Sequence, residues 1–201
     1  MKPFSLKNKS LWIFDLDGTL TKPVHDFIGI RESLSIPREE DILTFIEQQA
    51  PEKAHRLHLS LESIETSLVE KSEAAAGVKE CLYYLSKFAS LAVLTRNTRA
   101  NALRALAMIG LDEFFSPEAV IGRKEAAPKP APAGVLQLMA HFSCAPAQTV
   151  VVGDYWHDLK AGRAAGVTTV HVDYRQQFAY SKYADVECND LVALEELLRL
   201  S

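Results

Sequence analysis

The chain has 201 residues, 48% of them hydrophobic and 24% charged, which fits one α/β domain with an insertion better than two full-sized domains. Its 22 basic and 26 acidic residues give a net charge of -4, and no basic stripe suggests nucleic acid as a partner. No stretch has the length of a membrane span or the pattern of a signal peptide, so we expect a cytoplasmic protein that does not bind membranes. Cys81, Cys144 and Cys188 are far apart and predict free thiols rather than disulfides or a zinc site.

An apolar run that ends in two carboxylates begins the predicted fold. Residues 11–14 read Leu-Trp-Ile-Phe, and Asp15, Asp17 and Gly18 follow directly. Four consecutive apolar residues bounded by turn formers predict a strand that is covered on both faces, as in a parallel sheet. Because such sheets bind ligands at the carboxyl ends of their strands, we expect Asp15 and Asp17 to lie where the chemistry takes place. Gly18 would let the backbone approach a ligand closely.

The spacing of apolar residues then changes to that of helices and predicts three of them. The first is expected around Phe27 to Leu34, and the second spans residues 38–49 with Pro37 in its first turn. The third runs from Glu52 to about Lys71 and has the clearest apolar stripe. Because each stripe needs a covering surface, we expect the three helices to pack on one another.

Strands and helices alternate through the rest of the chain. Apolar strands are predicted at residues 91–94, 149–154 and 168–172, with shorter pieces at 119–121 and 184–188. This alternation predicts an α/β fold, a doubly wound parallel sheet with helices on both faces. We therefore divide the chain into an α/β core, residues 1–21 and 76–201, and an inserted small all-helical cap domain, residues 22–75.

Polar residues stand at or near the end of each main strand. Thr95 follows the second strand, Lys129 lies in a proline-stiffened loop, and Asp154 and Asp158 follow a third strand. Because the ends of parallel strands meet at one edge, we expect these groups to converge on Asp15. Taken singly, each also has a structural explanation: Thr95 as a helix N-cap, Lys129 as a surface charge and Asp158 as a first-turn acid.

This set of motifs resembles the haloacid dehalogenase (HAD) superfamily, whose members are mostly magnesium-dependent phosphatases. The hexapeptide Asp15-Leu16-Asp17-Gly18-Thr19-Leu20 is similar to the first motif of that family, and the other motifs follow in the same order. Residues 21–27 resemble the segment that leads into the small helical (C1-type) cap of phosphoglycolate-phosphatase-like members. The resemblance implies a Rossmann-like core with an inserted cap and makes phosphoglycolate a candidate substrate.

The resemblance and the demands of phosphoryl transfer imply a role for each site residue. Asp15 is the nucleophile that forms an aspartyl-phosphate, and Asp17 is the general acid and base. Mg²⁺ is held by Asp15, by Asp17 through its backbone carbonyl and by Asp154, with support from Asp158. Thr95 and Lys129 act in catalysis by positioning and neutralising the phosphoryl group. The expected substrate-binding residues are Gly18, His25, Thr95, Arg96 and Lys129.

Further assignments concern the surroundings of the site. Arg123 and Lys124 are placed within possible reach of the leaving group, with a plain surface or hinge position as the alternative. Tyr155 and Trp156 either narrow the entrance or pack against the cap.

Several functions compete for this set of residues. The leading interpretation is a phosphatase that acts on a small phosphorylated metabolite, as a monomer or homodimer. A phosphomutase would use the same aspartyl-phosphate, whereas a non-enzymatic signalling module of the receiver type has its acidic residues, Thr and Lys in another order. A dehalogenase is disfavoured, because in this family dehalogenases lack the second aspartate, which is Asp17 here.

Overall fold

A computed structural model describes residues 6–24 and 26–200 of the protein. The described residues form one six-stranded sheet and eight α-helices. The strands are β1 (Leu11–Phe14), β2 (Ser90–Leu94), β3 (Val120–Ile121), β4 (Thr149–Gly153), β5 (Thr168–Val172) and β6 (Val186–Cys188). The helices are α1 (Phe27–Ser33), α2 (Ile42–Glu47), α3 (Pro51–Val69), α4 (Val78–Leu85), α5 (Arg99–Met108), α6 (Ala133–His141), α7 (Trp156–Ala164) and α8 (Leu191–Leu200).

All neighbouring strands of the sheet are parallel, in the order β3-β2-β1-β4-β5-β6. The chain builds outward from β1 to β3 on one side and then returns to add β4 to β6 on the other. The strand order therefore reverses between β1 and β4, which is the place where open α/β sheets bind ligands. Phe14 pairs with Val93 on one side and with Val152 on the other, so the ends of three strands lie side by side.

Helices cover both faces of the sheet, as the continuous apolar strands predict. Trp12 and Phe14 of β1 face a cluster that includes residues of α4, α5 and α8. Leu11 and Ile13 point to the opposite face and pack with residues of α6 and α7. The predicted doubly wound α/β fold is confirmed.

The helices α1, α2 and α3, which we call the helical module, have a hydrophobic cluster of their own. It is formed by Ile30, Leu34, Ile36, Ile42, Leu43, Ile46 and Leu61. The chain enters and leaves the module at neighbouring positions, since the amide of Lys22 donates to the Glu73 carbonyl at 2.9 Å. The packing of the three helices on one another agrees with the expectation, while the domain boundaries at residues 22 and 75 stay a prediction.

The second helix begins later than the sequence predicts. We expected it to span residues 38–49, but α2 starts at Ile42, and Pro37 instead opens a turn in which the Glu40 amide donates to its carbonyl. The cause is Asp41, whose carboxylate accepts a hydrogen bond from the Thr44 amide at 3.1 Å and caps the helix. The other differences are shifts of a few residues at the ends of elements. None of the described helices combines the length and the apolarity that crossing a membrane requires.

Candidate active site

The two acidic motifs meet at the point where the strand order reverses. Asp15 directly follows β1, and its amide donates to the carbonyl of Val152 in β4 at 2.9 Å. Asp154 directly follows β4, and Asp158 lies in the first turn of α7. Carboxylate oxygens of Asp15, Asp154 and Asp158 all lie within 4.8 Å of one another. The expected convergence of these acids is confirmed, and we call the three residues the acidic cluster.

Lys129 supplies a positive charge to this cluster. Its Nζ lies 2.5 Å from Oδ1 of Asp15 and 2.5 Å from Oδ1 of Asp158. The same ammonium donates to the carbonyl oxygen of Leu94 at 2.6 Å, so all three of its protons have acceptors. Only 3% of the Lys129 side chain is exposed, which rules out the alternative of a surface charge.

Burial shifts the pKa values of these groups. Desolvation raises the pKa of Asp15 to about 7, although Lys129 opposes the rise. Desolvation, with the charges of Asp15 and Asp158, also raises the pKa of Asp154 well above its usual range. For Lys129, burial alone would lower the pKa, but the negative charges of Asp15 and Asp158 outweigh it and raise the pKa. One ammonium therefore does not compensate three ionised carboxylates at this buried position, and Asp15 and Asp154 favour their protonated forms.

Two glycines let the chain approach the acidic cluster closely. Gly18 has a φ of 90°, and a Cβ atom at this position would lie 2.4 Å from Oδ2 of Asp154. A Cβ atom on Gly153 would lie 2.3 Å from Cβ of Asp158. A side chain at either position would therefore displace an acid of the cluster.

Thr95 lies beside the cluster at the end of β2. Its amide donates to the Ile121 carbonyl at 3.0 Å, and its hydroxyl oxygen accepts from the Asn97 amide at 3.0 Å. The alternative that Thr95 caps the next helix is wrong, because Thr98 is the N-cap of α5 and accepts from the Asn101 amide. Thr95 also lines the pocket described next.

A pocket of about 400 Å³ lies between the helical module and the ends of the strands. Its floor carries the acidic cluster, Asp17, Thr95 and Lys129, and its roof carries residues of α1, α2 and α3. The structure therefore brings the predicted catalytic and metal-ligating residues together in one cavity. Its polar wall also contains residues that the sequence did not single out: Glu39, Glu40, Asp41, Glu65 and His157.

Arg96 joins the two walls of the pocket. Its Nη2 donates to Oδ1 of Asp41 in the helical module at 2.6 Å, and its Nη1 donates to a ring nitrogen of His157 at 2.6 Å. Burial alone would raise the pKa of Asp41, but the hydrogen bond and charge of Arg96 outweigh it and lower the pKa to about 2. Burial and the charge of Arg96 lower the pKa of His157 to about 3, so the ring is neutral and accepts. Arg96 lies in the pocket, as expected for a substrate-binding residue.

Other expected neighbours of the substrate lie elsewhere. The Arg123 side chain is buried and donates through Nη1 to both carboxylate oxygens of Glu65 at 2.8 and 2.7 Å. Lys124 is exposed and pairs with Glu62 at 2.8 Å. Neither is among the described residues that line the pocket, which favours the alternative of a surface or hinge position, and their reach to the leaving group stays a prediction. Both connect the core to α3 instead.

The remaining candidates are the aromatic pair and one histidine. Tyr155 and Trp156 both line the pocket, and Tyr155 is 44% exposed, which agrees with the prediction that they narrow its entrance. His25 lies outside the described residues.

Sequence reasoning missed Asp41 and His157. The sequence could have indicated His157, since this residue directly precedes Asp158 in the last motif. No feature of the sequence indicated Asp41, because it is 55 residues from Arg96, which it contacts.

Known proteins resemble this chain in sequence over most of its length. Residues 12–172 match the haloacid dehalogenase-like hydrolase family. A phosphoglycolate phosphatase of Haemophilus influenzae is 31% identical over 189 residues, which cover 80% of this chain and 84% of the relative. An uncharacterized hydrolase of Saccharomyces cerevisiae is 28% identical, over 96% of this chain and 93% of its own length.

Solved structures share the fold. A hydrolase from Pseudomonas syringae has a TM-score of 0.78 at 21% identity and covers 96% of this chain and 99% of its own. A protein described as a predicted phosphoglycolate phosphatase from Haemophilus somnus has a TM-score of 0.73 at 22% identity, with coverage of 98% and 99%. With a match that spans β1 to β5 and an acidic cluster at the reversal of strand order, this chain belongs to the haloacid dehalogenase-like hydrolase family.

Proposed function

We propose that this hydrolase is a magnesium-dependent phosphatase that cleaves a small phosphomonoester through an aspartyl-phosphate on Asp15. The observation that carries the proposal is the acidic cluster, whose carboxylate oxygens lie within 4.8 Å of one another at the floor of the pocket. A phosphate dianion would meet strong repulsion there unless cations are present. Lys129 is one such cation.

The acidic cluster fits a bound Mg²⁺. Its donors are hard carboxylate oxygens. Burial raises the pKa values of Asp15 and Asp154, because too little positive charge lies nearby to stabilise their ionised forms. A bound cation would provide that charge. Asp15 and Asp154 would hold the ion, with Asp17 contributing its backbone carbonyl and Asp158 in support. When bound, Mg²⁺ would supply positive charge that offsets the charge of the phosphoryl group and of its attacking carboxylate.

The residues of the chain would carry out two displacements. In the first, a carboxylate oxygen of Asp15 bonds to phosphorus, the ester P–O bond breaks, and protonated Asp17 gives its proton to the departing alkoxide. In the second, ionised Asp17 takes a proton from water, the water oxygen bonds to phosphorus, and the bond between phosphorus and Asp15 breaks to release phosphate. Lys129 and Thr95 would position the phosphoryl oxygens throughout.

Relatives suggest which substrates to test first. Besides the Haemophilus influenzae phosphoglycolate phosphatase, a protein named pyrophosphatase PpaX from Anoxybacillus flavithermus is 28% identical over 80% of this chain. The panel therefore contains phosphoglycolate, other small phosphomonoesters and the anhydride pyrophosphate. We take the partner to be a small phosphorylated metabolite, with the protein acting as a monomer or homodimer.

The test is phosphate release from p-nitrophenyl phosphate and this panel, with Mg²⁺ or with chelator, by the wild type and by Asp15→Asn. We expect metal-dependent release that the substitution abolishes, because the amide has no carboxylate oxygen to attack phosphorus. Full turnover by Asp15→Asn would exclude the aspartyl-phosphate. Transfer of phosphate between sugar positions with little release would favour the phosphomutase.

A further inference from the structure

The part of the pocket above the acidic cluster, which we call the leaving-group chamber, is walled mainly by the helical module. A phosphomonoester with its phosphate at the cluster must place its alcohol there. Five apolar side chains of the module line the chamber, namely Phe27, Ile30, Ile42, Leu43 and Leu61. Tyr155 and Trp156 line it from the core. The chamber therefore offers an alcohol mostly apolar surface.

The core cation that reaches this chamber is already paired. Arg96 lies next to Thr95 in sequence, close to where the phosphoryl group would bind, and would otherwise suit a second anionic group of the substrate. Instead its Nη2 donates to Asp41 at 2.6 Å and its Nη1 to His157 at 2.6 Å. Asp41 thus neutralises the charge of Arg96, so the pair offers no net positive charge to a second anionic group of the substrate.

The module's cation in this wall is also engaged. Arg31 donates through Nε to the Glu40 carbonyl at 3.0 Å and through Nη1 to the Phe27 carbonyl at 3.0 Å. Glu39 and Glu40 line the same wall, directly before Asp41 in sequence. Both partners of Arg31 are uncharged carbonyls, so its positive charge remains, but the two negative charges of Glu39 and Glu40 exceed it. An anionic alcohol such as glycolate would therefore meet net negative charge in this wall, which repels it.

We propose that Asp41 is a specificity-determining residue, which neutralises Arg96 and makes the enzyme select phosphomonoesters whose alcohol carries no negative charge. This inference rests on the proposed phosphatase function and narrows its substrate class. It disfavours phosphoglycolate and favours esters of uncharged alcohols with an apolar body.

The variant Asp41→Asn removes the charge and keeps the local structure. Asparagine is as good an N-cap as aspartate, so its side-chain oxygen can still accept from the Thr44 amide at the start of α2. Asp26→Asn is the matched control. Asp26 caps α1 in the same module by accepting from the Ile28 and Gly29 amides, and it is not among the described residues that line the pocket.

The experiment compares two substrates that differ in one carboxylate, 2-phosphoglycolate and 2-hydroxyethyl phosphate. We expect the wild type to have a kcat/KM at least about tenfold lower for phosphoglycolate, mainly through KM. In Asp41→Asn, the ratio of the two kcat/KM values should change by about tenfold in favour of phosphoglycolate. Asp26→Asn should keep the wild-type ratio. Because the ratios are compared between variants, the intrinsic reactivity of the two esters cancels.

A wild-type preference for phosphoglycolate would overturn the proposal, because the substrate carboxylate would then have replaced Asp41 on Arg96. An equal shift of the ratio in both variants, or no shift in either, would overturn it as well. Calorimetric binding of both esters to Asp15→Asn and to Asp15→Asn/Asp41→Asn, with Mg²⁺, gives the same comparison without turnover. If no ester is hydrolysed by the wild type, the phosphatase proposal fails, while the binding ratio still decides the role of Asp41.

Discussion

Glu65 of α3 and Arg123 of the core form a buried ion pair between the helical module and the sheet. Nη1 of Arg123 lies 2.8 and 2.7 Å from the two carboxylate oxygens of Glu65, and only 4% of the Arg123 side chain is exposed. Glu65 also lines the pocket, so this contact holds the module over the candidate active site. Burial raises the pKa of Glu65 to about 7, although Arg123 opposes the rise.

Removing one partner of this pair should destabilise the protein strongly. We expect Glu65→Ala to lower the free energy of unfolding by about 3–5 kcal/mol at pH 8, because it leaves the guanidinium of Arg123 buried without its carboxylate. Urea unfolding measures this change. Glu62→Ala, one turn earlier, removes an exposed pair with Lys124 and should cost under about 1 kcal/mol. Equal costs for the two variants would contradict the prediction.

Neutralising an acid of the cluster should stabilise the protein when no metal is bound. With chelator at pH 8, we expect Asp154→Asn to raise the free energy of unfolding, since burial and the neighbouring acids disfavour the charge of Asp154. Mg²⁺ should stabilise the wild type by about 2.7 kcal/mol at 100 times its Kd and the variant by less. Thermal unfolding with and without Mg²⁺ checks both. A variant that is less stable than the wild type in chelator would refute the argument.

Gly18 should be irreplaceable for activity, in contrast to a second glycine of similar conformation. Gly110 has a φ of 67°, and a Cβ atom added there would have no heavy atom within 4 Å, so Gly110→Ala should cost about 1–2 kcal/mol and leave turnover unchanged. Gly18→Ala adds a Cβ atom 2.4 Å from Oδ2 of Asp154 and should also reduce kcat/KM by roughly 100-fold. Measuring the free energy of unfolding and the turnover of both variants separates the effect of backbone strain from that of displacing the Asp154 carboxylate. Normal turnover by Gly18→Ala would show that the Asp154 position is not required.

Stability should fall at alkaline pH because of two buried thiols. Burial raises the pKa of Cys81 and of Cys188 to about 12, from a usual value of 9.0. Between these values each thiol ionises in the unfolded chain but stays protonated in the folded one, so unfolding releases a proton and becomes easier as pH rises. The expected loss is about 1.4 kcal/mol per pH unit for each thiol.

Urea unfolding between pH 8 and 10.5 measures this slope. Cys81→Ala and Cys188→Ala should each reduce it, and the double variant should reduce it further. The cavity that each substitution creates lowers stability at every pH and does not alter the slope. An unchanged slope in the double variant would assign the alkaline loss to other groups.

The sequence by itself determined the fold class and the floor of the site. Buried parallel strands are covered on both faces, so they appear as continuous apolar runs, and the strands predicted at residues 11–14, 91–94 and 149–154 correspond to β1, β2 and β4. The polar groups after them had to meet because parallel strands end at one edge. Asp15, Thr95 and Asp154 could therefore be placed together from the order of strands along the chain.

Only the tertiary structure decided how the helical module closes the pocket. The spacing of apolar residues shows which side of a helix is buried but not what that side packs against. Asp41 pairs with Arg96 and Glu65 pairs with Arg123, at separations of 55 and 58 residues. No pattern in the neighbouring sequence predicts such distant contacts. The same limit explains the late start of α2, since Asp41 ends the preceding turn and also holds Arg96. The chemistry at the floor depends on strand ends that the chain order fixes, whereas the charge of the chamber depends on contacts that form only when the module docks.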